Sequence, residues 1–319
     1  MKLTDIIKTE YETVNPKTVS DIKINFKKTE EVQELVNAFL YFLQHVRDPF
    51  LQYHNYETHM NFIAERALVR VQDIPFSSED ITHLTVLMEE HSHTRDYSSA
   101  GVFLTKLISN HFKKNPEVSS YTLLLENQRN HLDSLLSFFD GPIVNIFGDV
   151  GHNFCSNIEN GTIFLHGNVY GNVGENMYNG SVQIYGNVTG KVGKEMKNGS
   201  IKIFGNSEDE IGDWMKNGKI TVEGNAESLV GKMQEGGEII IGGKVTQEVG
   251  AYMKGGKITI KGDTLSYIGH GMENGTIYLE GSYLGLHKEK NGYINKGKIY
   301  HKGKQIFPQE KMNENIYEF

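Results

Sequence analysis

The second half of the chain has a 19-residue period, and this period constrains the fold more than any other feature of the sequence. Three columns of glycine, which start at Gly148, Gly161 and Gly174, recur at that step through successive copies. Self-similarity at a fixed period of this length is the signature of stacked structural repeats. The sequence therefore predicts an array of coils for this half of the chain.

Apolar columns keep the same register as the glycines. Two of them start at Val144 and Ile146 and are separated by outward positions, as in short half-buried strands. A third column starts at Phe154, and a fourth is nearly all methionine from Met177 onward, with Gln234 as an exception. Equivalent residues should stack about 4.8 Å apart, so that about eight coils bury a core that one coil could not bury.

The handedness of the coil follows from the spacing of small residues. The left-handed hexapeptide helix places an aliphatic residue before a small one at every sixth position. Here the Val173-Gly174 pair recurs only once per coil, and other glycines follow residues such as His166 and Tyr185. The sixfold rule fails, and we therefore predict that residues 142–303 form a right-handed parallel β-helix.

The coil pattern "GxIxIxGN…VGxxMxxG" resembles the GXGXG β-helix family over about residues 141–305. This family includes the C-terminal domain of the glutamate synthase large subunit and one of the subunits of formylmethanofuran dehydrogenase. The resemblance implies a structural scaffold and supplies no catalytic position. The chain lacks the glutaminase and flavin-binding segments of glutamate synthase, so we expect no such activity from it.

The first half of the chain has a different composition. It contains one glycine, Gly101, whereas residues 141–319 contain the other 33 of 34. We therefore predict an α+β multidomain chain, with a mostly helical domain over 1–140, the β-helix over 141–305 and a tail over 306–319. Helices are predicted over 30–46, 57–68, 78–93, 100–113 and 118–138, with Ser77 or Ser78 as an N-cap and a short strand near 22–26.

The last coil is irregular, because the step from Gly275 to Gly297 is longer than every earlier step in that column. His301 falls in a column that is aliphatic in every earlier coil. Terminal repeats are atypical when they cap an exposed end, and we predict that residues 305–319 fold over the open edge. Within the regular coils, asparagines such as Asn168 and Asn187 are expected to hydrogen-bond along the stack.

Charge and targeting signals limit the classes of partner. The formal net charge is −8, so no basic balance favours nucleic acid. The N-terminal residues show no signal-peptide core, and no apolar run reaches the length of a membrane span. A single cysteine excludes an internal disulfide. We expect a soluble cytoplasmic protein, with secretion without a cleaved signal as the alternative.

Two groups of polar residues in the first half are candidate ligands. Glu90 and His93 have the Glu-x-x-His spacing of di-iron bundles, with His91 between them, but the sequence has no second such motif. His54 and His59, with Tyr53, could line a ligand pocket. A solvated helix end and ordinary surface histidines are the alternative interpretations.

Cys155 takes the place of a column glycine in the first coil, and His152 lies shortly before it in the sequence. A cysteine with a nearby base is a candidate nucleophile. A small residue that packs at the entry to the core is the simpler interpretation.

Residues between the inward aliphatic positions should face outward. In the first three coils these residues include Phe164, His166, Tyr185 and Phe204. Aromatic side chains on one outer face of a sheet usually mark an interface. We expect that the protein's own helical domain covers this face, and a foreign protein partner is the alternative.

Two functional hypotheses of different classes follow. The favoured one is a non-catalytic β-helix scaffold that presents the helical domain, or binds a partner, within an assembly. The alternative is an enzyme, either a hydrolase or metal-dependent, with its site in the helical domain or at the junction. A carbohydrate-binding or carbohydrate-cleaving β-helix is a weaker third option, because it would need paired outward carboxylates and the sequence has only scattered ones. No cofactor is predicted, and a homo-oligomeric state is kept as an alternative.

Overall fold

The computed structural model describes residues 29–45, 64–88, 99–125, 131–286, 294 and 296–308. In these residues a few helices precede a parallel β-solenoid of about nine turns, which extends from Ser120 to His301. This arrangement confirms the predicted combination of a helical N-terminal part with a stacked parallel coil. The right-handed sense of the coil stays a prediction.

The helical part contains three helices and one 3₁₀ turn among the described residues. Helix α1 spans Glu30–His45, α2 spans Ser78–Leu87 and α3 spans Ala100–Lys114, and residues 64–68 are helical and continue into a 3₁₀ turn, Val69–Val71. Ser77 caps α2, because its hydroxyl accepts from the Asp80 N–H at 3.2 Å while the Asp80 carboxylate accepts from the Ser77 N–H at 2.7 Å. The predicted N-cap is thus confirmed at Ser77.

Thirteen short strands follow the helices in the described residues. They are β1 Ser120–Leu124, β2 Asp140–Phe147, β3 Asn160–His166, β4 Ser181–Ile184, β5 Ser200–Ile203, β6 Lys219–Val222, β7 Glu238–Ile241, β8 Lys257–Ile260, β9 Thr264–Ile268, β10 Thr276–Leu279, β11 Tyr283–Leu286, β12 Lys298–His301 and β13 Lys304–Phe307. The main sheet has 11 strands, and β9 pairs with β11 in a second sheet.

Each regular strand pairs in parallel with the equivalent strand of the next coil, as the glycine columns predict. Val182, for example, lies opposite Ile201, and both side chains are buried. Two further ladders of single parallel bridges run along the other sides of the coil, such as Val169 to Val188 and Val173 to Val192. Three parallel ladders around one apolar core give the solenoid a three-sided section.

The structure corrects the predicted helix over residues 118–138. Residues 120–124 form β1, and residues 133–138 form turns. Tyr121 pairs with Val144 of β2, a longer step than that of the regular columns, so the repeat does not reveal this strand. The solenoid therefore begins within the predicted helical half, at Ser120 rather than residue 142, because β1 pairs in parallel with the edge of β2.

Helix α2 covers the outer edge of β1. The Thr82 hydroxyl donates to the Thr122 carbonyl at 2.8 Å, and the Leu124 N–H donates to the Thr85 hydroxyl at 3.0 Å. An uncovered edge strand invites pairing with other chains, and these two bonds occupy that edge. The helices thus form a cap on the N-terminal end of the solenoid and share its hydrophobic core.

A buried histidine ties the cap together. One ring nitrogen of His111 lies 2.7 Å from the Tyr121 hydroxyl, and the other lies 2.9 Å from the Phe76 carbonyl oxygen. Burial lowers the pKa of His111 below its usual value.

The C-terminal end follows the irregular step seen in the sequence. Thr276 pairs with Lys298, which is the same lengthened step as that from Gly275 to Gly297, and His301 lies opposite Leu279. Strand β13 then turns back antiparallel to β12 and covers its edge. Most of the tail over 305–319 that was predicted to fold over this end, residues 309–319, lies outside the described residues, so the cap stays a prediction.

Candidate functional site

A ladder of stacked aromatic rings runs along the corner that follows the main sheet. Ring centroids are 4.6 Å apart for Phe147 and His166, 4.5 Å for His166 and Tyr185, and 4.7 Å for Tyr185 and Phe204. These distances equal the spacing of neighbouring strands, so the coil itself sets the stacking. Burial in the stack lowers the pKa of His166 to about 4, which keeps this ring neutral near pH 7.

The outward residues of β3 to β5 and of the corner after them form one surface, which we call the aromatic patch. Its members are Thr162, Phe164, His166, Ser181, Gln183, Tyr185, Ser200, Lys202 and Phe204. Lys202 carries the single formal charge, and its ammonium lies 4.5 Å from the centroid of the Phe204 ring. The patch brings together all four aromatic residues that the sequence predicts for the interface.

The outer face changes character beyond Phe204. Lys202 forms an ion pair with Glu223 at 2.9 Å, and this pair marks the border of the patch. On the next strands Glu238 accepts from Lys219 at 2.8 Å and from Lys257 at 3.0 Å. These partners hold the pKa of Glu238 below its usual value. Charge is therefore segregated along the sheet, with an almost uncharged segment at the helical end.

The helices lie at the end of the stack rather than over the whole patch. Among the described residues α2 packs on β1 and α3 contacts β2. The Phe204 side chain is 38% exposed, so cover by the helical part is incomplete at that end of the patch. Over Phe164 and His166, cover by the protein's own helical half stays a prediction.

The environment of Cys155 favours a packing role. Its side chain is fully buried, and burial raises the pKa of the thiol well above its usual value, which disfavours the nucleophilic thiolate. Cys155 has a φ of 55°, the conformation that Gly174 adopts one coil later. The exposed His152 lies beside Gly171, and its N–H donates to the Asp133 carboxylate at 2.7 Å.

The remaining candidate ligands are not part of the described structure. Glu90, His91 and His93, as well as His54, His59 and Tyr53, lie outside the described residues. Within the part of the chain that the structure describes, no group of three or more His, Cys, Asp or Glu side chains could hold a metal ion.

One pair of carboxyl groups has opposite pKa shifts. Burial raises the pKa of Asp213, and the neighbouring Glu210 raises it further. Burial also acts on Glu210, but bonds from Lys191 at 2.7 Å and Lys232 at 3.3 Å outweigh it and lower the pKa of Glu210. Opposite shifts can mark an acid and a base in an enzyme. Asp213 is only 5% exposed, however, so this cluster matches charges between coils and offers no open site.

A second exposed surface, which the sequence did not predict, lies on the turn that precedes each main strand. Trp214, Met233 and Tyr252 occupy equivalent positions on consecutive coils with φ of 56°, 52° and 54°. We call these three residues the corner strip. Left-handed backbone costs about 1–2 kcal/mol for a non-glycine residue, and the same column holds Asn157 and Asn176 in earlier coils. The available signal was the change in this column from Asn157, Asn176 and Glu195 to large apolar residues.

The ladder of coils enforces that backbone conformation. The Trp214 N–H donates to the Lys232 carbonyl at 3.0 Å, and the Tyr252 N–H donates to the His270 carbonyl at 2.6 Å. The Trp214 and Tyr252 side chains are 37% and 41% exposed. Large apolar side chains are thus held on the surface at positions where asparagine or glycine would fit with less strain.

The fold and the patch define a helix-capped parallel β-solenoid with an aromatic outer surface. No protein-family model matches the chain, and no curated protein matches it. None of the described helices is both long and apolar enough to cross a membrane.

Proposed function

We propose that this chain is a non-catalytic scaffold that binds a protein partner through the aromatic patch. The observation that carries the proposal is the segregation of charge on the outer sheet. The patch has one formal charge among its nine residues, whereas ion pairs follow it immediately from Lys202–Glu223 onward. The centres of protein interfaces are depleted in charge and enriched in aromatic residues in the same way.

The size of the patch indicates how a partner would use it. Three strands and five residue positions span about 15 Å by about 17 Å, or about 250 Å². A standard interface buries about 800 Å² on each partner. The patch therefore supplies the anchor of an interface that extends onto neighbouring surface, which suits a partner within a larger assembly.

We also propose that the chain is a member of the GXGXG β-helix family. The glycines of the third column have φ between 62° and 80°, from Gly193 to Gly269. Glycine recurs there because the coil needs a left-handed backbone at this position. The methionine column is buried in the core, for example at Met177 and Met196. The resemblance is to domains that serve as structural scaffolds, which agrees with the proposed role.

The test compares the parent chain with the double variant Tyr185→Ser and Phe204→Ser. Size-exclusion chromatography and cross-linking of native extract should show the parent in a larger complex and the variant free of it. The matched control is Thr221→Ser with Thr259→Ser, at outward positions beyond the patch. A complex that survives in the Tyr185/Phe204 variant would contradict the proposal.

Limited proteolysis near residue 140 separates the two occupants considered for the patch. If the protein's own helical half covers it, the Tyr185/Phe204 variant should be cut faster than the parent in the purified chain. If a foreign partner covers it, the purified parent and variant should be cut at equal rates, and only the partner-bound parent should be protected. A purified parent that forms dimers lost in the variant would identify a second copy as the partner.

A further inference from the structure

We propose that the segment of residues 309–319, "QEKMNENIYEF", docks on the corner strip of Trp214, Met233 and Tyr252. The strip lies on the turns before β6, β7 and β8, whereas the aromatic patch lies on β3 to β5 and the corner after them, so the inference goes beyond the proposed function. It concerns an intramolecular contact and names this segment as the occupant.

The described chain ends at the correct corner for such a contact. Strand β13 runs antiparallel to β12 with Phe307 opposite Ile299, so Pro308 lies beside the start of β12. The start of each main strand is the corner at which the corner strip runs, because Trp214 and Tyr252 lie shortly before Gly218 and Gly256. Pro308, the last described residue, therefore lies at the edge that carries the strip.

The length of the segment matches the distance. Tyr252 precedes β8, which lies three strands from β13, and Trp214 precedes β6, which lies five strands from it. At about 4.8 Å per strand these separations are about 14 Å and about 24 Å along the axis. Eleven extended residues span up to about 36 Å, so the segment can pass all three side chains of the strip.

Charge is complementary between the two surfaces. The three turns over 214–219, 233–238 and 252–257 contain four lysines and two glutamates, a net charge of +2. The segment 309–319 contains three glutamates and one lysine, a net charge of −2. The turns are thus a locally positive surface on a chain whose total is −8.

The side chains also fit each other. The segment carries Ile316, Tyr317 and Phe319 among its polar residues. Exposed tryptophan, tyrosine and methionine are the residues that most often anchor apolar side chains at interfaces. The Lys254 ammonium lies 4.7 Å from the centroid of the Trp214 ring, so a carboxylate of the segment would find a cation beside the aromatic surface.

Trp214 is the single tryptophan of the chain and therefore reports on the strip. The principal variant is the full-length chain with Ile316→Ser, Tyr317→Ser and Phe319→Ser, and the matched control is Asn313→Ser with Asn315→Ser in the same segment. We expect acrylamide quenching of Trp214 to rise about two-fold in the triple variant as the docked population is lost, with no change in the control. Circular dichroism melting should be the same for all three proteins.

A peptide of residues 309–319 provides the second arm. Added to the triple variant, it should restore the low quenching with half-saturation at or below about 1 mM, the effective concentration that a short tether gives. Lys254→Glu in the parent should raise quenching as the triple variant does, whereas Lys261→Glu on another corner should not. Equal quenching in parent and triple variant would overturn the proposal. Quenching in the parent that depends on protein concentration would overturn it in favour of a second copy.

Discussion

The exchange of glycine for cysteine in the first coil leads to a prediction about a pair of residues. In five later coils the column glycine faces an isoleucine on the second main strand that follows it. A Cβ added to each of these glycines would lie 2.4–2.6 Å from the isoleucine Cδ1 atom, as for Gly174 and Ile201. The residue in the equivalent position relative to Cys155 is Val182, which lacks that atom. The cysteine side chain thus occupies the space that the isoleucine methyl fills elsewhere.

The expected changes in the free energy of unfolding of the variants follow from this exchange. Val182→Ile alone forces a methyl group against the Cys155 side chain and should destabilise the protein by about 1–3 kcal/mol, the usual cost of overpacking. Cys155→Gly alone should change stability by less than about 1 kcal/mol, because two effects nearly cancel. The lost burial of one carbon and one sulfur atom costs about 1–2 kcal/mol, and relief of the left-handed backbone offsets a similar amount. In the double variant the new methyl fills the vacated space.

The double variant should therefore be within about 1 kcal/mol of the parent, which implies a coupling energy of about 1–3 kcal/mol between the two sites. Urea unfolding followed by circular dichroism measures all four proteins, and the m-value should stay constant. Ile201→Val is the control, because it removes the same methyl group one coil later, where a glycine faces it. If the two single changes simply add in the double variant, Cys155 and Val182 do not share a space and the packing account of the cysteine is wrong.

Three further predictions concern the stack itself. Ile203→Asp places an unpaired carboxylate in the buried aliphatic column at a cost of several kcal/mol, comparable to the stability of a domain, and a parent-like melting temperature would refute its inward position. Asn206→Ala removes the side-chain acceptor that binds the Asn225 N–H at 2.8 Å and should cost about 1 kcal/mol in urea unfolding, while Asn206→Asp keeps the acceptor and should cost less. His166 has a pKa of about 4 when folded against an ordinary value of 6.5, so between these values the unfolded chain binds more protons and stability should fall as pH drops from 6.5 to 4. His166→Phe should remove about 1–2 kcal/mol of that pH dependence, since the ring is partly exposed, and an unchanged pH profile would contradict the assignment.

Local periodicity let the sequence determine the regular coils. The register of Val182 with Ile201, the buried methionines and the irregular step to Lys298 could all be inferred from the spacing of glycine and aliphatic residues. The asparagine ladder also follows the prediction, since the Asn187 N–H donates to the Asn168 side chain at 2.9 Å. In a solenoid each coil contacts mainly its neighbours, so a period in sequence translates directly into contacts in space.

Only the tertiary structure decided the two ends and the use of the surface. Residues 120–124 carry no signal of the repeat and form a strand because β2 offers an edge on one side and α2 covers the other. The charge-poor patch and the corner strip depend on which positions of different coils stand side by side and on how much of each side chain stays exposed. Sequence spacing fixes stacking along the axis, whereas caps and exposed surfaces arise from packing between segments that share no period.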